Sequence, residues 1–168
     1  MVSEDTLPED LAAGAAKGAD PDHLMALNDL LVGVFNAILR IEENSLDNRI
    51  TAGTTISEIH TIAAVGMYNK DPMGVVAGRL GVTMATLTTA VNKLEARGLV
   101  CRERDSEDRR KVLLSLTKEG RKICRAHDMF HRKMVNDALS GLTPEEEAVF
   151  ARALTHVKDF FDAQAAQC

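Results

Sequence analysis

Apolar side chains recur at helical spacing along most of this chain, and the longest such pattern has two apolar faces. From about Asp22 to Leu46, apolar residues recur in steps of three and four on one face, and Leu30, Val32 and Leu39 add a second. Such a helix needs two partners. This is typical of a helix shared between a domain core and a subunit interface, although a deeply buried helix of a single domain gives the same pattern. Further patterns predict helices from about Ile56 to Tyr68, Lys118 to Leu139 and Pro144 to Ala163.

Helix-starting and helix-stopping residues in the middle of the chain predict two short helices joined by a turn. Asp71-Pro72 supplies an N-cap followed by a proline at the first helical position, and the helix that begins there ends at Gly81. Thr83 caps a second helix, which runs from Met84 to about Arg97 and is stopped by Gly98. A short helix, a glycine turn and a longer capped helix are the layout of a helix-turn-helix.

Two short β-prone segments, Leu99 to Cys101 and Val112 to Leu116, follow the second helix and predict a hairpin. Between them lies RERDSEDRRKV, in which nine of eleven side chains are charged. A hairpin directly after a helix-turn-helix is the position of a wing. The predicted fold class is therefore mostly α with a small β-hairpin, a winged helix-turn-helix with flanking helices.

The net charge of −5 disfavours nucleic-acid binding until it is divided along the chain. From Lys70 to Lys122 there are twelve Lys and Arg against seven Asp and Glu, and the rest of the chain has eight against eighteen. A basic middle between acidic ends indicates that the middle approaches a polyanion.

Without an uninterrupted apolar run of about 18 residues, we expect a cytoplasmic protein. Three cysteines without paired spacing fit a reducing compartment, and a redox switch stays open: Cys101, Cys124 and Cys168.

A helical wheel of the second helix separates a buried stripe from a small, hydroxylated face. Leu87, Val91 and Leu94 define the stripe. The opposite face has no large aliphatics and no acids before Glu95. It can therefore lie in the major groove of DNA, where Thr and Asn bond base edges and Lys bonds phosphate. The alternative is an ordinary solvent face, for which threonine is a poor helix former. The predicted DNA-binding residues of this helix and its cap are Thr83, Ala85, Thr86, Thr88, Thr89, Asn92 and Lys93.

The wing predicts a second contact with DNA. Arg109 or Arg110 can place a guanidinium in the minor groove, where narrow A·T-rich DNA concentrates negative potential. Asp105 and Asp108 are expected to orient the wing, one of them holding an arginine in a bidentate pair so that the other points outward. The alternative is a solvated loop whose charges neutralise one another.

The order Asp108-Arg109-Arg110, five residues, then Leu116-Thr117-Lys118-Glu119-Gly120 resembles the wing signature of the MarR family of transcriptional regulators. The resemblance covers Asp22 to about Ala163 and implies an obligate homodimer on a pseudo-palindromic operator. Residues 1–21, rich in Ala, Gly, Asp and Glu, are predicted to be a flexible tail or a weakly helical arm, followed by a single domain at 22–168. Within that domain the resemblance places a winged helix-turn-helix at about 55–117 and dimerisation helices at about 22–47 and 118–165.

Within the family, several segments resemble the FabT group of repressors of bacterial fatty-acid synthesis genes. They include Ile56 to Ile62, Val82-Thr83 with Thr88-Thr89, Arg104 to Arg110, and the histidine-containing stretch Arg125 to Val135. This resemblance implies Arg104 as a further DNA-binding residue. It also implies acylated acyl carrier protein, or another lipophilic effector, as corepressor, with an acyl tunnel whose residues the sequence does not identify.

The histidines of the chain allow a different interpretation. His127 and His131 share one face of a helix, and some MarR relatives sense zinc with histidines in similar places plus a carboxylate. With His60, and Glu42 or Glu43 as the carboxylate, a zinc-responsive regulator is the alternative. A helical protein-interaction module that uses its basic face on an acidic partner is another. No phosphate loop, nucleophile elbow or acid/base pair indicates an enzyme, and no cofactor is expected.

Overall fold

The computed structural model describes residues 20–45, 51 and 53–165, so the predicted tail at 1–21 lies almost wholly outside the described residues. The chain divides into two compact units between Asn44 and Ser45. The elements are α1 Pro21–Ser45, α2 Ile56–Val65, β1 Asp71–Pro72, α3 Met73–Leu80, α4 Met84–Ala96, β2 Val100–Arg104, β3 Val112–Leu116, α5 Lys118–Leu139 and α6 Pro144–Ala165.

The described part of the first unit is the single helix α1, whose predicted extent is confirmed to within one residue at each end. Its large apolar side chains are exposed on more than one side, and Phe35 is 62% exposed. By length and composition alone α1 is apolar enough to cross a membrane, although Asn28 and Asp29 interrupt its apolar run. A mostly buried core helix of a protein in water passes the same test, whereas the apolar stretch of α1 is not buried within the chain.

The second unit contains a three-stranded antiparallel sheet in the order β1-β3-β2. β2 and β3 form the predicted hairpin, with Val100 opposite Leu116 and Arg104 opposite Val112. β2 ends at Arg104, three residues beyond the predicted Cys101, so the first part of the charged run is strand. The prediction that Asp71-Pro72 starts α3 is wrong, because these two residues form β1 and pair with β3. The Asp71 carboxylate is bound 2.6 Å from Arg79 Nη1, so it serves the packing of α3 and not its first turn.

Helix ends in the second unit follow local capping rules. Thr83 Oγ1 accepts the Thr86 N–H at 3.2 Å, and Thr117 Oγ1 accepts the Gly120 N–H at 3.0 Å, as predicted for α4 and α5. α2 ends three residues before the predicted Tyr68, because Gly66 takes a φ of +85° that an L side chain rarely adopts.

The core of the second unit lies where α2, α3, α4, α5 and the sheet meet. It is almost wholly aliphatic, as expected from a chain with 4% aromatic residues. α2 lies between α4 and α5 and packs against both. The apolar side chains with the least exposure are Ile59, Ile62, Val65, Val76, Leu87, Val91, Leu94, Val100 and Leu114. Because α4 and the hairpin both pack on this core, their relative position is fixed.

Candidate nucleic-acid interface

The exposed side of α4 is the first part of the candidate interface. Leu87, Val91 and Leu94 are at most 1% exposed, so the predicted buried stripe anchors the helix to the core. The structure places the other predicted residues of the helix on the exposed side, which we call the recognition face: Ala85, Thr86, Thr88, Thr89, Asn92 and Lys93.

Hydroxyl groups on the recognition face are turned toward their own helix. Thr88 Oγ1 donates to the carbonyl of Met84 at 2.7 Å, and Thr89 Oγ1 donates to the carbonyl of Ala85 at 3.1 Å. Their hydrogens are therefore engaged, while their oxygen lone pairs and methyl groups stay outside. Such a surface favours hydrogen-bond donors and methyl groups on base edges, such as the amino group of adenine and the methyl group of thymine.

The wing, comprising β2, β3 and the loop between them, is the second part. Asp105 Oδ1 accepts the Glu107 N–H at 3.0 Å, and Asp108 Oδ1 accepts the Arg110 N–H at 3.1 Å. These bonds fix the backbone of the turn. Arg109 and Arg110 are exposed at its tip. Arg104, at the end of β2, is exposed as well.

The prediction of a bidentate pair between a wing carboxylate and an arginine is wrong. Asp108 lies 3.9 Å from Lys111 Nζ, and within the described ranges neither Asp105 nor Asp108 forms an ion pair with an arginine. Their short side chains reach the N–H groups two residues ahead more easily than a guanidinium. They orient the backbone of the tip and leave both arginines exposed.

Arg102 joins the wing to α4, a role that the sequence analysis missed. Its Nη1 lies 3.2 Å from the Glu95 carboxylate, and its Nη2 donates to the carbonyl of Thr88 at 3.3 Å. Arg102 lies on β2 and its partners on α4, so no local spacing could have revealed the contact. Because of it, the recognition face and the wing keep a fixed relative position.

Arg97, directly after α4, joins this helix to α2. It donates to Glu58 Oε2 at 2.8 Å and to Thr54 Oγ1 at 2.9 Å. Glu58 also accepts the N–H of Thr55 at 3.0 Å as part of the capping box of α2. A single carboxylate therefore connects the start of α2 to the residue that follows α4.

Three histidines of the second unit, on α2 and α5, lie together. Nε2 of His127 and Nε2 of His131 are 2.9 Å apart, and the rings of His60 and His127 are 5.5 Å apart between centroids. Nitrogen atoms so close to one another are a donor set of the kind that binds zinc. Glu42 and Glu43, the predicted carboxylates, belong to α1 in the first unit.

The cysteines differ in their surroundings. Burial, and to a lesser degree the nearby Asp128 carboxylate, raises the pKa of the Cys124 thiol to about 11. Cys124 is therefore protonated at neutral pH and is not a reactive thiol. Cys101 is exposed, and Cys168 lies outside the described residues.

Comparisons with known proteins agree with this geometry. A model of the MarR family matches residues 52–111. The fold resembles Streptococcus pneumoniae FabT in complex with DNA, with a TM-score of 0.78 and 38% identity over 84% of this chain and 99% of that one. Among the matching Bacillus subtilis proteins, the HTH-type transcriptional regulator YhjH is 30% identical over 73% of this chain and 72% of its own length. The HTH-type transcriptional repressor MdtR is 26% identical over 59% of this chain and 63% of its own length.

The named relatives are transcriptional regulators and not enzymes. The range matched by the family model covers the helix-turn-helix, β2 and the loop of the wing, where the exposed basic and hydroxylated side chains lie. The chain belongs to the MarR family of DNA-binding winged helix-turn-helix transcriptional regulators.

Proposed function

We propose that this protein is a cytoplasmic repressor that places α4 in the major groove of its operator and the wing in the adjacent minor groove. The observation that supports this most directly is the recognition face, which has no acidic side chain and no large aliphatic one. The Arg102 contacts hold this face and the wing in one geometry, so both can meet a duplex at the same time. The N–H groups in the first turn of α4 add a phosphate anchor.

The repressor is proposed to act as a homodimer. α1 and α6 expose more large apolar side chains than a single chain in water tolerates without a partner. A two-fold dimer would bring two recognition faces to half-sites one helical turn apart, which predicts a pseudo-palindromic operator. The exposed apolar residues of these helices are Leu24, Met25, Leu27, Leu30, Leu31, Val32, Val34, Phe35, Leu39, Ile41, Val149, Phe150, Leu154, Phe160 and Phe161.

The proposed targets are fatty-acid synthesis genes, with acylated acyl carrier protein as the corepressor. Support for this comes from the FabT-like segments of the sequence and from the 38% identity to a FabT that was solved with DNA. A corepressor strengthens operator binding only if it has a higher affinity for the DNA-bound conformation.

Asn92→Ala is expected to relax sequence preference while leaving most of the non-specific affinity intact. Asn92 is exposed on the recognition face, and an amide that bonds a base edge discriminates against the wrong base by about 1–3 kcal/mol, or roughly 5-fold to 150-fold. The measurement is a binding titration against the operator and against single-base variants of each half-site. Asn136→Ala, an exposed asparagine on α5, is the matched control. Unchanged discrimination by the Asn92 variant would place α4 outside the groove.

A zinc-responsive regulator is the second candidate function, because the structure brings His60, His127 and His131 together. Bound there, zinc would take imidazole nitrogens from α2 and α5 and fix these two helices against each other. This candidate uses the same DNA interface as the first and differs from it only in the effector, which is zinc instead of acylated carrier protein.

Acylated carrier protein is expected to raise operator affinity at least about tenfold, whereas the unacylated protein and zinc leave it unchanged. Operator titrations with each of the three additions, under equal salt, make the comparison. A zinc response that disappears in His127→Ala, and also in the milder His131→Gln, would instead establish the second candidate. Melting curves of both variants without additions control for folding, since His127 is buried.

A further inference from the structure

All of the positive charge of α5 lies on one side of the helix. α5 has six basic residues, and at 100° per residue they fall within an arc of about 120°. Its three acidic residues fall outside this arc, and its buried residues, including Ile123 and His127, lie on the opposite side. We call the six residues the cationic face: Lys118, Arg121, Lys122, Arg125, Arg132 and Lys133.

The first half of the cationic face borders an open cleft of about 510 Å³. Tyr68, Ala126 and Met129 form the rest of its lining, and Tyr68 and Met129 are 76% and 60% exposed. In this part of the described chain Lys122 is paired with Glu119 at 2.8 Å, and the other three cations of the cleft form no ion pair. Unpaired cations beside exposed apolar side chains are suited to an acidic partner that also offers apolar surface.

DNA on the recognition face does not explain this surface. α5 packs on α2 through its buried side, and α2 packs on α4. The cationic face lies on the side of α5 opposite its buried residues, whereas the recognition face is on α4, so the two surfaces belong to different helices. Exposed apolar side chains next to the cations also favour a protein over a phosphate backbone.

The spacing of the charges suits a helix. From Lys118 to Arg125 a cation recurs at every turn over about 10 Å. A partner helix with carboxylates one turn apart and an apolar side chain between them would pair with these cations and cover Met129. We infer that the cationic face is the docking surface for an acidic helix of a partner protein. This rests on the proposed function, in which that partner is the acylated carrier protein.

The test compares the full-length protein with charge-reversal variants on this face. Arg121→Glu and Arg125→Glu are each expected to weaken binding of acylated carrier protein about tenfold, and the double variant about fiftyfold or more. Arg152→Glu, the same charge reversal on α6, is expected to change the affinity for acylated carrier protein less than about twofold. Binding is followed by the anisotropy of labelled carrier protein without DNA, and operator affinity without carrier protein is measured in parallel. Intact operator affinity and melting temperature show that the variants fold.

Each outcome decides a different point. If the wild-type protein does not bind acylated carrier protein, the proposed corepressor is wrong and this inference is overturned with it. If the wild type binds it and both variants bind it equally well, the inference alone is overturned. If the variants lose operator affinity in the absence of carrier protein as strongly as they lose carrier binding, the face contacts DNA and the inference is also overturned.

Discussion

Replacing Arg109 and Arg110 together by alanine is expected to weaken operator binding about a hundredfold and to reduce its salt dependence. Both side chains are exposed at the tip of the wing. The tip itself is fixed, because Asp105 and Asp108 bind backbone N–H groups within it at 3.0 and 3.1 Å. A guanidinium on a fixed turn loses less conformational freedom on binding than one on a mobile loop. In a homodimer each substitution removes two contacts.

The measurement is the operator affinity at several salt concentrations between about 50 and 200 mM. The slope of log affinity against log salt is expected to fall by about 0.9 for every phosphate contact that is lost. Arg152→Ala, which removes an exposed arginine from α6, is the control and should leave affinity and slope unchanged. Wild-type affinity and slope in the double variant would exclude the wing from the DNA interface.

The two single variants then show which arginine enters the minor groove. The side chain in the groove is sensitive to groove width, so its loss abolishes the preference for A·T over G·C pairs beneath the wing. Loss of an arginine that contacts only phosphate weakens binding to both sequences equally.

Local rules explain why so much of the fold was predictable. The bounds of α5 match the prediction, because Thr117 is an N-cap that acts within its own first turn. The recognition face was predictable for a similar reason, since the 3.6-residue period places Leu87, Val91 and Leu94 on one side whatever they pack against.

The errors arise where distant contacts outweigh local preference. Asp71-Pro72 has the sequence of a helix start, yet pairing with β3 makes it a strand. Arg102 and Arg97 bind partners on other elements, and no spacing in the sequence indicates which carboxylate each one chooses. These contacts help to hold the wing, α4 and α2 together, so the exposure of the candidate interface residues was predictable from the sequence and the contacts that support them were not.

Gly120→Ala is expected to destabilise the protein by about 3 kcal/mol, the upper part of the range for overpacking a buried position. A β-carbon at Gly120 would lie 2.0 Å from the carbonyl oxygen of Leu99, far inside any real contact distance. That carbonyl cannot move freely, because it accepts the N–H of Thr117 at 3.1 Å and its hydroxyl at 3.2 Å. Relief of the clash therefore separates the start of α5 from the base of the wing.

Thermal unfolding at equal protein concentration checks this, with an expected fall in melting temperature of roughly 10 °C for a chain of this size. Gly78→Ala is the matched control: Gly78 is exposed within α3, and a β-carbon there meets nothing within 4 Å. This control is expected to gain about 0.5–1 kcal/mol, because alanine favours the helix. Since the two variants make the same chemical change, any difference between them measures the contact with Leu99. If both melt alike, Gly120 is not packed against the start of β2, and the wing is not fixed through the first turn of α5.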